Sequence, residues 1–398
     1  MRRKRLQDSF RAAVDTALRE KAQLFLIAGD LFDRPDPRNA ERLFVACELA
    51  RLGRAGIAVV AICGNHDSPR SLLYGNGAVP LHEMAALGGL HLLRDDREWD
   101  GVCLNVTGDD GSPISVRVRG QSHAFHHGDK EDPLATWCAG LSDPDARAAS
   151  VEIALLHYAV EGWEMPQMAE AILPLASLQC IAADLIAVGH LHVRNETRLP
   201  GGALLLNPGA TERMDFGEEK HHCGCYVVRF EPSNEAGKPA ATRYEYAAIT
   251  PQAMRTVAIE DAEIIAGSQN DSTEVMPFVC RRLDALLAET PDAEDSLLRV
   301  QFIGVLPDAL YHALDVSAVR QYLQDRCFHA DISLDELAVR YADMTLTPGS
   351  GGFEIETEIE AIVTAMLAQI PETDDRKRKI VLGAQNTLLA AYQRVGGN

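Results

Sequence analysis

The sequence predicts an α/β fold built on a mostly covered sheet. Three observations carry this. An apolar strand, LFLIA at residues 24–28, runs straight into Gly29-Asp30. A second, IAVVAIC at 57–63, runs into GNHD. Between them NAERLFVACELARLG, residues 39–53, has the spacing of an amphipathic helix. Strand–helix–strand with near-continuous apolar strands is the pattern of a sheet buried on both faces.

The elements follow in order. Leu6, Phe10, Val14 and Leu18 stand four apart and predict a helix over residues 6–18. The second helix stops near Gly53 and Gly56. Strand-like runs follow: SVRVRG (115–120), VEIALLHY (151–158), DLIAVGHLHV (184–193), ALLLNPG (203–209) and CYVVRFE (225–231). They extend a first domain over residues 1–250. The polar EPSNEAGKPAAT (231–242) reads as a hairpin or surface loop. From Pro251 the segments shorten. RVQFIGV (299–305) predicts a strand and DVSAVRQYLQDR (315–326) a helix, giving a small α+β domain over 251–344. TLTPGSGG (345–352) is a flexible linker. Beyond it Ile355, Ile359, Ile362, Val363, Met366 and Leu367 mark one amphipathic helix, and Ile380, Ala384, Leu388, Tyr392 and Val395 another. This pair docks either on its own core or on a partner.

Composition bounds the function. A chain of 398 residues is too long for one ordinary core. No apolar run is long enough to span a bilayer, and MRRKRLQDSF has no apolar signal core, so a cytoplasmic protein without a membrane partner is expected. The nine cysteines include no CxxC pair, which supports neither a disulfide framework nor a zinc ribbon. A net charge of −20 argues against indiscriminate nucleic-acid binding. It leaves room for a site where metal ions and a few arginines hold phosphate.

Four apolar strands end on ligand-type side chains: Asp30, then Asn65-His66-Asp67, then His157, then His190 with His192. A lone histidine after a strand is more often structural; four such endings are a constellation. Carboxylate, amide oxygen and imidazole suit manganese, iron or zinc. A carboxylate such as Asp30 can bridge two ions, which in two-metal hydrolases stand roughly 3.5–4 Å apart and lower the pKa of a bound water. In GHLH, extended chain would put both imidazoles on one side. Gly29, Gly64 and Gly189 each precede a proposed ligand and allow the backbone a close approach. HHCGC (221–225) has metal-ligand letters but reads better as a turn entering a strand. SHAFHH (122–127) reads as a polar loop that could line a cleft, and RRKR as a solvated helix start.

The series GDLFD, GNHD, His157 and GHLH resembles the calcineurin-like metallophosphoesterases. LNPGATERMDFGEEK is similar to the sequence after GHxH in the SbcD type of double-strand-break repair nuclease, and residues 298–329 are similar to that group's DNA-capping domain. The resemblance covers roughly residues 5–340. It implies a metallophosphoesterase α/β sandwich (1–250), a capping domain (251–344), and a linker with partner-binding helices (345–398). It implies two divalent ions, manganese by preference. Asp30 is the implied bridging carboxylate, Asn65, His157 and His190 complete one metal site, and His192 belongs to the other. His66 is the implied catalytic histidine and Asp67 its orienting partner, while Asp33 has at most a weak part. Apart from the resemblance, Arg194 and Arg213 flank the GHLH and ERMDF segments and are candidate DNA-backbone contacts, although arginine on a surface is the ordinary case. The implied partners are DNA, an SbcC-like coiled-coil ATPase on the C-terminal helices, and a second copy of the chain.

The family opens with an Asp-x-His strand that completes the second metal site, and no such motif precedes GDLFD here. Either the start is assigned too late or the protein is naturally degenerate and holds one metal. The first reading is preferred, because the other motifs are intact and a lost strand leaves its neighbours without backbone partners. The chain as given is expected to show weak or absent nuclease activity. Three functions compete: a metal-dependent DNA exo/endonuclease, a phosphodiesterase of small phosphodiesters or nucleotides, and a non-catalytic binding scaffold. The cap-like segment and the helix pair favour the first.

Overall fold

The computed structural model describes residues 2–340 apart from 69–78, 94–98, 109, 124–130, 136–137, 139–147, 164–170, 234, 236–237 and 291, and beyond them only scattered positions between 363 and 385. Helix α1 (Arg2–Arg19) leads into strand β1 (Leu24–Ala28). Helix α2 (Asn39–Arg54) returns the chain to β2 (Ala58–Ile62), and α3 (Pro80–Ala86) to β3 (His91–Leu92). β1, β2 and β3 form one parallel sheet in that order. The first helix begins earlier than its apolar stripe indicates. Its first turn is held by charged contacts rather than by burial: Arg2 Nη1 donates to Gln252 Oε1 at 2.8 Å, and Arg5 pairs with Asp295.

The second sheet has six strands in the order β10-β11-β9-β6-β5-β4. They are β4 (Asp100–Thr107), β5 (Pro113–Gly120), β6 (Val151–His157), β9 (Leu185–Gly189), β10 (Asn195–Arg198) and β11 (Leu204–Asn207). β5, β6, β9 and β11 run parallel, with β4 and β10 antiparallel at the edges. β6 is buried at every position, as a central strand covered on both faces must be. A short pair, β7 (Ala159–Val160) and β8 (Ile172–Leu173), and helix α4 (Leu175–Leu178) cover its outer face.

Period-two alternation sorts the strand residues into layers. Leu24, Leu26, Val60 and Ile62 of the first sheet meet Val116, Val118, Ile153, Leu155 and Leu185 of the second in a shared core. The alternate residues Ile27, Val59 and Ala61 pack under Val14, Val45, Leu49 and Leu52 of the helices. Ala154, Leu156, Ile186 and Val188 face the other way, against Leu173 and Leu178. The fold is therefore a layered α/β sandwich of two facing sheets; the alternating elements predict the α/β class and the family resemblance implies the sandwich. The polar run before residue 242 does close a hairpin: β12 (Gly224–Glu231) pairs antiparallel with β13 (Ala241–Ala248).

From residue 254 a further sheet forms, β14 (Met254–Glu260), β15 (Leu297–Pro307) and β16 (His329–Arg340) in that order. Helices α5 (Asp261–Gly267), α6 (Val275–Ala288), α7 (Asp308–Ala313) and α8 (Val316–Gln324) accompany it. They share a core of their own around Ile259, Val279, Leu283, Val300, Phe302 and Leu323. Met1–Ala338 is one structural unit and Val339–Asn398 another. The predicted linker 345–352 and most of the predicted C-terminal helix pair lie outside the described residues; positions 363–364, 377–379 and 381–385 are helical. No helix among the described residues is long and apolar enough to cross a membrane.

Candidate metal centre

Parallel pairing brings the strand ends together. Ala28 lies opposite Ile62, and His157 opposite Gly189, so β1, β2, β6 and β9 all finish at one edge. That carboxyl edge is where α/β sheets place their ligands. The chain leaves β1, β2 and β9 through glycines at which a side chain would not fit. A Cβ on Gly64 would lie 2.1 Å from Asp30 Oδ1, and one on Gly189 would lie 2.0 Å from the Ala28 carbonyl oxygen. Asp30 itself sits at φ +52° and His190 at φ +94°, conformations that non-glycine residues adopt sparingly and that cluster at functional sites.

Four side chains converge there. His157 Nδ1 is 2.6 Å from the Ala28 carbonyl oxygen, so it must be the protonated nitrogen. Its Nε2 then faces two oxygen acceptors, Asn65 Oδ1 at 3.0 Å and Asp30 Oδ2 at 3.2 Å. His190 Nδ1 is 3.1 Å from the same Asn65 oxygen. A lone pair on Nε2 aimed at two oxygens is repulsive unless a cation lies between them. The ligand atoms of Asp30, His157 and His190 lie within 4.8 Å of one another. Ligands about 2.1 Å from a common ion stand about 3–4.2 Å apart, so small side-chain adjustments close this set on one ion. An oxygen–nitrogen set of this kind suits a first-row divalent metal.

The electrostatics agree. Burial opposes ionisation of Asp30, but the His157 hydrogen bond and charge and the His66 backbone N–H outweigh it and bring its pKa to about 2. Burial of His157 opposes its protonation, and the Asp30 carboxylate outweighs that and raises it. In the absence of metal the Asp30 carboxylate favours a proton on Nε2, beside the two oxygens.

His66 and Asp67 part company. The His66 ring is 43% exposed and its Nδ1 lies 3.2 Å from the Asp33 carbonyl oxygen and 3.5 Å from Asp33 Oδ1. Asp67 is fully buried and does not orient that ring. Its Oδ1 accepts from Gly64 N–H at 2.6 Å and its Oδ2 from Leu31 N–H at 2.8 Å, tying the loop after β2 to the loop after β1. The reason is direction: the turn at Gly64 sends the Asp67 carboxylate back beneath the loops while His66 faces out. Burial, with the nearby Asp30 charge, pushes the Asp67 carboxyl up to about 6.

His190 and His192 do not share a side either. β9 ends at Gly189, so GHLH is not extended chain. Asn207 holds the departing loop: its Nδ2 donates to the Leu191 and Val193 carbonyls at 2.8 and 2.7 Å. His190 turns to Asn65, whereas His192 Nδ1 lies 2.6 Å from Glu218 Oε1, outside the Asp30 group. No spacing signal marks Glu218; Asn207, at a strand end in LNPG, follows the same rule as the proposed ligands. Two arginines expected near phosphate have internal partners. Arg194 donates to Tyr226 Oη and Glu196 and lies 4.2 Å over the Tyr246 ring. Arg213 donates to the His221 carbonyl. Cys225 of HHCGC enters β12, as a turn leading into a strand requires. His123 of SHAFHH reaches the site: its Nδ1 is 3.1 Å from the His157 carbonyl oxygen, and its ring stacks on His190. His126 and His127 lie outside the described residues.

The family model for calcineurin-like phosphoesterases matches residues 4–194, which contain Asp30, Asn65, His157, His190 and His192. Residues 4–194 are a calcineurin-like phosphoesterase domain. The chain is similar to the DNA double-strand break repair protein Mre11 of Sulfolobus acidocaldarius, with 28% identity over 216 residues, 54% of this chain and 50% of that one. It is also similar to the Mre11 of Methanopyrus kandleri, with 26% identity over 248 residues, 62% and 52% of the two chains. The chain thus spans about half the length of these curated relatives. Among solved structures, the calcineurin-like phosphoesterase YfkN from Bacillus subtilis aligns with 60% of this chain and 81% of its own, at 12% identity and a TM-score of 0.38.

Calcineurin-like phosphoesterases use divalent metal, and the donor set of this phosphoesterase domain fits one. The buried Asp30–His157 pair also gives the metal-free domain a pH signature. Asp30, lowered from 3.8 to about 2, stabilises the fold above pH 3.8, and this is lost as pH falls toward 2. His157, raised from 6.5, stabilises it below pH 6.5, and this is lost as pH rises through the folded value. The pair therefore contributes most between about pH 4 and 6.5. The melting temperature of metal-free wild type minus that of His157→Gln should peak in this window and shrink on both sides. A difference independent of pH would contradict the pairing.

Proposed function

We propose that this protein is a divalent-metal-dependent DNA nuclease, a phosphodiester hydrolase of double-strand-break repair or hairpin processing. The observation that carries the reading is the convergence of Asp30, Asn65, His157 and His190, with His157 Nδ1 fixed on Ala28 so that Nε2 faces the oxygens. Similarity to proteins named for double-strand break repair supports DNA as the substrate. Asp30, Asn65, His157 and His190 would hold the ion, manganese by preference, with Asp30 as the carboxylate able to bridge to a second ion near His192. A bound divalent ion supplies charge stabilisation for the phosphoryl group and acidifies a water. His66, exposed and steadied by Asp33, is placed to donate a hydrogen bond to a phosphate oxygen and to follow the leaving oxygen. Asp67 keeps the two ligand loops in register from beneath. The reading includes a cytoplasmic location, a coiled-coil ATPase of the SbcC type on the C-terminal helices, a second copy of the chain, and a DNA-capping role for residues 251–344.

The test is release of nucleotides from linear DNA with manganese, with His66→Ala beside it. The wild-type rate is expected to be slow, and the variant at least about 100-fold slower still, the usual contribution of a general acid–base group. Turnover of bis(p-nitrophenyl) phosphate without any attack on DNA would move the substrate to small phosphodiesters. Stoichiometric manganese binding with no hydrolysis of either substrate would refute catalysis and favour a binding scaffold.

A further inference from the structure

The segment from Glu212 to Glu219 joins the β14–β16 layer to the candidate centre. Its side chains are committed in two directions. Glu212 is 2% exposed; its carboxylate accepts from Gln252 N–H at 3.1 and 3.2 Å and from Ser9 Oγ at 3.2 Å, with Arg2 3.5 Å away. The Phe216 ring lies 4.4 Å beneath the Arg299 guanidinium of β15, which is itself held by Asp331 of β16. Glu219 Oε2 accepts from Thr256 N–H at 2.7 Å. β14 is an edge strand, so this N–H points away from the ladder and needs such an acceptor. Between these anchors a 3-10 turn, Phe216–Glu218, turns Glu218 the other way. Glu218 is 7% exposed; Oε1 engages His192 Nδ1 at 2.6 Å and Oε2 accepts from Met214 N–H at 2.6 Å.

We propose that residues 212–219 act as a strap that sets the His192 ring from the β14–β15 layer, with Glu218 as the positioning residue and Phe216 and Glu219 as its remote anchors. An imidazole whose Nδ1 donates to a carboxylate presents Nε2 in a fixed direction. Asn207 fixes the backbone on both sides of His192, and the His192 ring direction is set by its contact with Glu218. Glu218 has no freedom of its own within the turn, so a shift of Phe216 or Glu219 reaches His192 directly. A substrate or partner that engages the β14–β16 layer would thereby bias the centre. The functional weight of this coupling rests on the nuclease reading; the coupling itself does not.

The test follows the His192 ring by NMR in protein labelled with 13C at histidine Cε1. Glu218→Gln defines the resonance of a released ring. Phe216→Ala and Glu219→Ala, neither of which touches His192, are expected to move the resonance toward that position. Glu219→Gln keeps an oxygen for Thr256 N–H and should restore it. Arg282→Ala breaks the Arg282–Glu263 pair of the same layer, away from residues 212–219, and should leave it in place. With manganese and DNA, the two alanine variants should lose about tenfold in kcat with KM within about twofold, the low end of effects seen for groups that orient a metal ligand. A His192 resonance unmoved in Phe216→Ala and Glu219→Ala, while Glu218→Gln moves it, overturns the strap even if the enzyme digests DNA. A moved and rescued resonance in a protein that hydrolyses nothing leaves the strap standing and refutes the nuclease reading.

Discussion

Asp30→Ala should abolish manganese binding and reduce nucleotide release below detection. The carboxylate is the only charged member of the ligand set, and it also accepts from the His66 backbone N–H at 2.9 Å, which fixes the loop that carries Asn65 and His66. Its loss removes a ligand and releases two neighbours. It also leaves His157, wholly buried, without the charge that supports its protonated form. Calorimetric titration with manganese is the direct measurement, and we expect affinity to fall by at least about 1,000-fold, beyond the 10–100-fold typical of outer partners. Asp30→Asn should fall between, because the amide oxygen can still ligate while the charge is gone. Manganese affinity unchanged within a few-fold in Asp30→Ala would place the metal elsewhere.

Gly189→Ala is the second large effect, and it adds one methyl group without replacing any proposed ligand. The new Cβ would meet the Ala28 carbonyl oxygen at 2.0 Å and His157 Nδ1 at 2.9 Å. Both are halves of the hydrogen bond that sets the His157 tautomer. Backbone oxygen cannot rotate aside, so β9 and β1 must separate or the His157 anchor must break. Overpacking of this kind costs about 1–3 kcal/mol, occasionally more, and here it falls on the site. We expect a lowered melting temperature and a loss of manganese affinity of at least about 100-fold, measured on the fraction that remains folded by circular dichroism. Gly201→Ala, with nothing within 4 Å of the added Cβ, is the matched control. Wild-type metal affinity in Gly189→Ala would show that the Ala28–His157 contact does not organise the centre.

How much was legible in the sequence depended on whether a feature is local. β1, α2, β2 and β6 stand within a residue or two of their apolar runs, because buried parallel strands and amphipathic helices write their environment into residue type. β4 leaves a weaker mark, since an edge strand with one exposed face carries Gly, Cys and Asn among its apolar positions. In α6 the helical spacing of Val275, Val279, Leu283 and Leu286 is obscured by Pro277 and further apolar residues between them, and in β16 the pattern is obscured by charge. Strand-end residue types pointed to the Asp30, Asn65, His157 and His190 cluster, because parallel strands that end on polar side chains must deliver them to a common edge. The direction of Asp67, the divergence of His190 from His192, and the part of Glu218 were not legible. Each depends on a dihedral angle or a partner far along the chain that residue spacing does not encode.

The candidate centre lies on the seam where two sheets face each other, and among the described residues the two sheets share no strand ladder. Asp30 and Asn65 hang from one sheet, His157 and His190 from the other. The gap is filled by Leu26, Val60, Ile62, Val118, Ile153 and Leu155. Those apolar side chains act as the shims of a caliper whose jaws are the ligand pairs. A core this dense yields little to added volume, so a methylene gained or lost among them would be read at the jaws as an opened or a tightened grip.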